Sequence, residues 1–217
     1  MPSRHAIVTF HDPPVPPGAS PWVPGSGPSP DVRVVEPDPA WPDQFADLAA
    51  TVARVLGWRA LVIEHVGSTA VPGLPAKPVI DIDLVVADPG DERSYVPALE
   101  DAGFELRVRE PWWFEHRLLR PRADAGLPAC HLHVFGPDSP EVVRHRLFRD
   151  WLRGNPDECA RYAEAKRAAA DAATAAGEHA MQYNARKERV VREIYARMFA
   201  ATGLTDESAG DDGSVGA

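Results

Sequence analysis

Asp81 and Asp83 are the residues in this 217-residue chain whose spacing most directly implies chemistry, because they alternate with apolar residues along positions 79–86, VIDIDLVV. Strict alternation marks a β-strand with two unlike faces, here Asp81 and Asp83 on one and Ile80, Ile82 and Leu84 on the other. Side chains two apart on a strand point the same way, with α-carbons about 6.5–7 Å apart, so both carboxylates can converge on one ion. At about 4 Å and an effective dielectric near 20, two bare carboxylates would repel by roughly 4 kcal/mol. Paired hard oxygen donors therefore suit Mg2+ (or Mn2+), and Mg2+ completes its shell with water and substrate phosphates. The plainer reading is a strand with one solvated face, on which two aspartates cost little.

The segment before that strand favours the chemical reading. Val66-Gly67-Ser68-Thr69 follows an apolar run, and a glycine in such a turn lets backbone amides approach a polyphosphate while Ser68 and Thr69 add hydroxyl donors. Taken alone a Gly-Ser pair is an ordinary turn; followed by a short linker and a D-x-D strand, it reads as a nucleotide-phosphate site. Cationic candidates to offset phosphate charge are Lys77, Arg117 and Arg120 in HRLLR, and Lys187. The chain has only three lysines, Lys77, Lys166 and Lys187, and of the cationic candidates Lys77, just before the acidic strand, is the most informative. Tyr183 lies four residues before Lys187 and shares its helix face, where packing is the simpler role. Glu64 and His65 flank the turn. Trp112-Trp113-Phe114 cannot all face a core from one strand, so they fit either an acceptor pocket or a homodimer contact.

The elements that must position these residues follow from periodicity. Trp41, Phe45, Leu48, Val52, Val55 and Leu56 recur at helical spacing between Pro42 and Gly57. Strands are expected over residues 60–66, 79–86, 104–108, 116–119 and 131–135, with a short helix over 95–102. From about 139 to 199 the pattern is helical throughout. The fold class is thus α/β (α+β), a mixed sheet flanked by helices with a helical C-terminal portion.

Composition bounds the rest. Apolar residues make up 44 % and charged residues 25 %, as in a soluble globular chain. The net charge of −9 opposes nucleic-acid or anionic-membrane binding, so nucleic acid is not an expected partner. Two cysteines, Cys130 and Cys159, provide neither a disulfide framework nor a cysteine zinc knuckle. No apolar stretch matches a membrane span or a signal peptide, which places the chain in the cytoplasm. Nine of the 23 prolines fall in residues 1–30, read as a flexible Pro-rich leader. Residues 31–201 form the folded domain, and 202–217 are read as a disordered acidic tail.

The Gly67-Ser68 turn followed by Asp81 and Asp83 resembles the nucleotidyltransferase superfamily typified by DNA polymerase beta. More closely, the chain is similar to the GrpB family, also called UPF0157, through PDPAWPDQF, IEHVGSTAVPGLPAKPVIDIDLVV, HLHVF, FRDWLR and residues 183–187, YNARK. The resemblance covers about residues 34–199 and implies a nucleotidyltransferase-like fold with a nucleoside triphosphate, ATP foremost, bound through metal. Enzymes of that superfamily carry a third carboxylate on a neighbouring strand as metal ligand and general base. No acidic residue stands out for that place here, and HLHVF, with His131 and His133 on one face, is nominated instead, since imidazole can act as base or ligand near neutral pH.

The expected function is metal-dependent transfer of a nucleoside monophosphate to a small-molecule acceptor, with carboxylate activation for ligation as one form. Asp81 and Asp83 would hold metal, with Asp81, Asp83, His131 and His133 catalytic and Gly67, Ser68, Thr69, Lys77, Arg117 and Lys187 on the nucleotide. The alternative is a nucleotide-binding or partner-stabilising module without catalysis. HLHVF is also similar to the alternating histidines of histidine-triad nucleotide hydrolases, but Phe135 stands where a third would be needed.

Overall fold

A computed structural model describes residues 1–30 and 32–205. Five strands, β1 (Val62–Val66), β2 (Ile80–Val85), β3 (Phe104–Glu110), β4 (His116–Pro121) and β5 (Cys130–Phe135), form one sheet in the order β1-β2-β5-β4-β3. Only β2 and β5 pair in parallel; the other neighbours are antiparallel. The helices are α1 (Arg4–Val8), α2 (Trp41–Leu56), α3 (Val96–Asp101), α4 (Pro140–Gly154), α5 (Pro156–Ala175) and α6 (Ala180–Ala201). Among the described residues no helix is long and apolar enough to cross a membrane.

Register does most of the positioning. Asp81 pairs with His131 and Asp83 with His133, so the alternation of β2 and β5 puts all four polar side chains on one face. Ile80, Ile82, Leu84, Leu132 and Val134 take the other face, where they meet Leu48, Val52 and Leu56 of α2 and Leu99 of α3 in one core. Each such side chain contributes roughly 1.5–3 kcal/mol by leaving water, so a one-residue slip of β2 would reverse every charge and every methyl together. The polar face is covered by α4, α5 and α6, whose Leu152, Tyr162 and Ile194 pack on Val71 and Leu74 just beyond the Gly67 turn. The mixed sheet with helices on its faces agrees with the expected fold class, and the helical back half forms as three helices.

Residues 1–30 differ from the flexible leader expected of them. Ile7 of α1 packs with Tyr195, Met198 and Phe199 of α6. The fully buried Arg144 of α4 donates to the carbonyls of Ala6 (2.7 Å), Ile7 (2.9 Å) and Thr9 (3.2 Å) while pairing with Glu141. These are carbonyls at the C-terminal end of a short helix, which have no intrahelical donor. Farther along, Trp22 bridges to Val108, with Val23 N donating to Arg107 O (3.1 Å) and Arg109 N to Pro21 O (2.8 Å). Proline lacks the donor needed in a central strand but is tolerated along an edge, and the proline-rich segment uses the open edge of β3 in that way. Most of the acidic tail lies outside the described residues, which end at 205.

Replacing Arg144 by Ala removes three carbonyl partners and leaves Glu141 buried beside no cation. The expected loss is about 3–5 kcal/mol, read from urea unfolding, and a loss below about 1 kcal/mol would show that the N-terminal helix is not held by this side chain.

Candidate functional site

The site begins where β1 ends. Gly67 has φ 68° and ψ −165°, a conformation open almost only to glycine, and it leads into the single 3-10 turn Ser68–Ala70. A Cβ on Gly67 would lie 2.3 Å from Asp81 Oδ2, so the glycine is required because the carboxylate of β2 presses against the turn. Sequence reasoning assigned this glycine to phosphate approach; its immediate neighbour is Asp81. The turn is fastened from three sides. His65 Nε2 lies 3.0 Å from Thr69 Oγ1, and its ring stacks on Phe45 at 4.6 Å. Burial lowers the His65 pKa to about 4, so this ring is a neutral strut. From α4, Arg149 donates to Glu64 (2.7 Å) and His65 O (2.8 Å), and Arg153 donates to Ala70 O (2.6 Å). The FRDWLR stretch is thus a clamp on the turn.

Asp81, His131 and His133 each offer a ligand atom within 4.8 Å of the others. His131 Nδ1 is 3.1 Å and His133 Nε2 4.0 Å from Asp81 Oδ1. Burial alone would raise the Asp81 carboxyl, but the hydrogen bond and charge of His131, with Lys77 nearby, hold it well below the usual carboxylate range. His133 is continued by a chain: its Nδ1 lies 3.0 Å from His116 Nε2, and His116 Nδ1 lies 2.8 Å from Glu110 Oε2. Burial pushes His133 and His116 down to about 3, so both are neutral at ordinary pH. Burial raises the Glu110 carboxyl above its ordinary range; with that carboxyl as acceptor from His116 Nδ1–H, His116 Nε2 is left to accept from His133 Nδ1–H. The lone pair of His133 Nε2 then faces Asp81, as a metal ligand requires. One carboxylate and two imidazoles fit a divalent cation, and two nitrogen donors favour Mn2+ over Mg2+.

Asp83 does something else. It is fully buried and held by His145 Nδ1 of α4 at 2.9 and 3.2 Å, and it is not one of the three converging ligands. Burial works against a charged His145, yet the Asp83 carboxylate outweighs it and raises the ring to about 9. Where both aspartates were expected to converge on one ion, Asp81 is grouped with His131 and His133, and Asp83 fastens α4 to the sheet through His145.

A cleft of about 300 Å³ opens over this face. Gly67, Ser68, Thr69, Lys77, Asp81, His131, His133 and Lys187 all line it, together with Tyr162, Lys166, Tyr183 and Asn184. All three lysines of the chain therefore meet in one place. Lys166 Nζ lies 5.2 Å from the Tyr162 ring and Lys187 Nζ 5.3 Å from the Tyr183 ring, and neither has a carboxylate ion-pair partner among the described residues. Burial first, and Lys187 second, press the Lys166 pKa well below its ordinary value. Arg117 is the exception among the expected nucleotide residues. It pairs with Val134 in the register, faces the opposite side of the sheet, and is held by Glu92 (2.7 Å) and Glu115 O (2.8 Å). Three neighbours on an alternating strand cannot all share a face, and it is Leu118, not Arg117, that pairs with His133.

Lys166, His145, His116 and Glu110 were missed from sequence. Lys166 had a signal: it stands four residues after Tyr162 in an alanine-rich helix, as Lys187 stands four after Tyr183. The other three are joined to the site by pairings across 6, 17 and 62 residues, which no local pattern carries.

Two outcomes follow from these contacts. His145 has a folded-state pKa above its ordinary 6.5, so its stabilisation is complete below about pH 6.5 and is lost as pH rises through about 9. His145→Gln should cost up to about 3 kcal/mol at pH 6, and its deficit against the parent should shrink towards pH 9.5 in urea unfolding; a pH-independent deficit would exclude the charged pair. Glu110→Leu, which frees the His116 and His133 tautomers, should weaken Mn2+ binding about 10- to 100-fold by calorimetry. Unchanged affinity would remove the chain of imidazoles from the ligand set.

Residues 31–197 match the family described as GrpB protein. A UPF0157 protein of Halalkalibacterium halodurans is 46 % identical over 167 residues, 76 % of this chain and 82 % of that protein. A UPF0157 protein of Pseudomonas aeruginosa is 40 % identical over 172 residues, 79 % and 69 % of the two chains. The crystal structure of the conserved protein GrpB from Enterococcus faecalis superposes with a TM-score of 0.66 at 27 % identity, over 79 % of this chain and 99 % of that one. A dephospho-CoA kinase of Mycolicibacterium paratuberculosis is 33 % identical over 192 residues, 76 % of this chain but only 46 % of that protein. With most of the described chain accounted for by one family in sequence and in fold, the protein is a member of the GrpB family.

Proposed function

We propose that the chain binds a nucleoside triphosphate, ATP foremost, with a divalent cation, and transfers its nucleoside monophosphate to a small-molecule acceptor. The observation that carries this reading is the meeting of all three lysines with Asp81, His131 and His133 in the cleft beside the Gly67 turn. Lys166 and Lys187, with no carboxylate ion-pair partner among the described residues, in a cleft whose single acidic lining residue is Asp81, call for a polyanion. The turn followed by an acidic strand, which resembles the nucleotidyltransferase superfamily, supplies the kind of polyanion. In this reading Ser68 and Thr69 donate to phosphate, Lys166 and Lys187 hold the outer phosphates, and Tyr162 and Tyr183 keep the ammonium groups over their rings. Asp81, His131 and His133 would hold the cation, which when bound supplies charge neutralisation at the transferring phosphate. The chain's own residues orient the triphosphate and exclude water beneath α5 and α6.

A second reading is a nucleotide-binding or partner-stabilising module without turnover. One observation favours it: Asp83, the second carboxylate on which two-metal chemistry would rely, is engaged by His145. The mycobacterial relatives in which a matching stretch is part of a larger protein named dephospho-CoA kinase also suit a module.

Calorimetry with ATP and Mn2+, followed by a pyrophosphate-release assay over candidate acceptors, separates the two. Binding with release, abolished by Asp81→Asn, supports transfer; binding without release supports the module; no binding removes both. Burial and Lys187 press the Lys166 pKa down and a phosphate beside it would raise it again, so ATP binding should be linked to proton uptake near that pKa and should weaken as pH rises through it. The apparent enthalpy should therefore vary with the buffer's ionisation enthalpy, and Lys166→Met should abolish that dependence while lowering affinity about tenfold, roughly 1.4 kcal/mol.

A further inference from the structure

A second cavity, of about 610 Å³, adjoins the lysine cleft and shares His131, His133 and Trp113 with it. Its floor is the sheet, at Val108, Leu118 and Arg120, and its roof is the N-terminal segment that pairs along β3, with Pro13, Val15 and Trp22. Trp112 closes one side. The walls are thus mostly apolar and aromatic, with Lys77, shared with the lysine cleft, and one further cation, on the sheet, among them.

Arg120 is that cation. In the β4–β5 register Leu118 stands opposite His133 and Leu119 opposite Leu132, so the alternation brings Arg120 to the same face as Leu118, beside His131. Its Nε is buried without a hydrogen-bond partner, and no hydrogen bond or ion pair reaches its guanidinium among the described residues. Its neighbours on the same strand differ: Arg117 is tied to Glu92 and Glu115. A half-buried guanidinium in an apolar cavity is costly unless an anion meets it, and its planar fork matches a carboxylate. Burial, and then Arg107, press its pKa below the ordinary arginine value, although Asp81 and Glu105 act in the opposite direction.

We propose that this cavity holds the acceptor of the reaction, and that the acceptor is a carboxylic acid with an aromatic or other apolar body, its carboxylate paired with Arg120. The inference rests on the nucleotidyl-transfer reading and names its substrate class. The acids around the two cavities agree with it. Glu110 is bound to His116, Asp12 is paired with Arg192, and Asp81 faces His131, so no carboxylate is placed to take a proton from a hydroxyl or an amine. A carboxylate nucleophile is already ionised and needs no base. One of its oxygens forms the bond to the α-phosphorus, the bond from that phosphorus to the bridging oxygen breaks, and pyrophosphate leaves with the electron pair. The product is a mixed anhydride of the acid and the nucleoside monophosphate, and no proton is moved. The class of reaction that consumes it is transfer of the acyl group to an amine, alcohol or thiol.

The test uses the full chain with phenylacetate and 3-phenylpropionate as probes and the corresponding amides as neutral counterparts, titrated by calorimetry and by quenching of tryptophan fluorescence. The acids should bind at least tenfold more tightly than the amides. Arg120→Leu and, with less change in shape, Arg120→Gln should each lower acid affinity at least tenfold while changing ATP affinity in Mn2+ less than twofold. In the parent protein the acids should stimulate exchange of labelled pyrophosphate into ATP. Equal binding of acids and amides, or no binding of either acid, overturns the proposal. So does an Arg120→Leu variant that loses ATP affinity and keeps acid affinity, since that arginine would then belong to the nucleotide. If the acids bind through Arg120 and ATP does not bind at all, the carboxylate site stands and nucleotidyl transfer falls.

Discussion

A charge buried on a central strand has to be met by opposite charge or by hydrogen bonds, and β2 carries two such charges side by side. The fold meets them differently. Asp83, fully buried, is given one dedicated partner, His145, delivered by α4 after the chain has crossed the sheet. Asp81, left partly open, is given a neighbourhood: His131 across the parallel ladder, the backbone of Gly67 with no side chain between, and lysines from the β1–β2 linker, α5 and α6. One carboxylate is spent on holding a helix, and the other is left where a ligand can reach it. The helices of the back half are needed for both, because the sheet alone has too few cations on that face to balance its acids.

This division explains why the missing third carboxylate is less damaging than it looks in sequence. A second metal needs a carboxylate-rich cradle, and with Asp83 engaged the described residues offer one compact ligand group. One of its two imidazoles, His133, is kept neutral by burial, and the chain through His116 to Glu110 bears on which of its nitrogens carries hydrogen. The chemistry left to such a centre is positioning and charge neutralisation, with little capacity for taking protons. A substrate that brings its own negative charge is the natural match.

Much of this was legible because it is local. The alternation in VIDIDLVV, the Gly67-Ser68 turn after an apolar run, and the helix from Trp41 each follow from periodicities within a dozen residues, and the structure places each within one or two residues of expectation. Lys77 and Lys187 were legible through rarity. Arg117 was misplaced for want of one number, the register of β4 against β5, which decides which of two alternating faces receives the charge. His145 and Glu110 were not legible, since their meaning lies in pairings with residues on other elements. The N-terminal segment was misread for a different reason: proline content argues against a helix or a central strand, but it does not argue against an edge.

That edge is what turns one cleft into two cavities. β3 ends the sheet, and an uncovered edge strand invites pairing with other chains. Here residues 21–23 cover part of it, and the segment leading to them passes over Trp112 and Leu118 before reaching the edge. The anchor for that path is Arg144, which holds the far end of the segment by its helix carbonyls, so the roof is tied at both ends to elements that also build the lysine cleft. α4 carries Arg144, His145 and Arg149 within six residues, and thereby connects the roof, the buried Asp83 and the Gly67 turn through one rigid helix. A shift of α4 along its axis would therefore be felt at all three places at once.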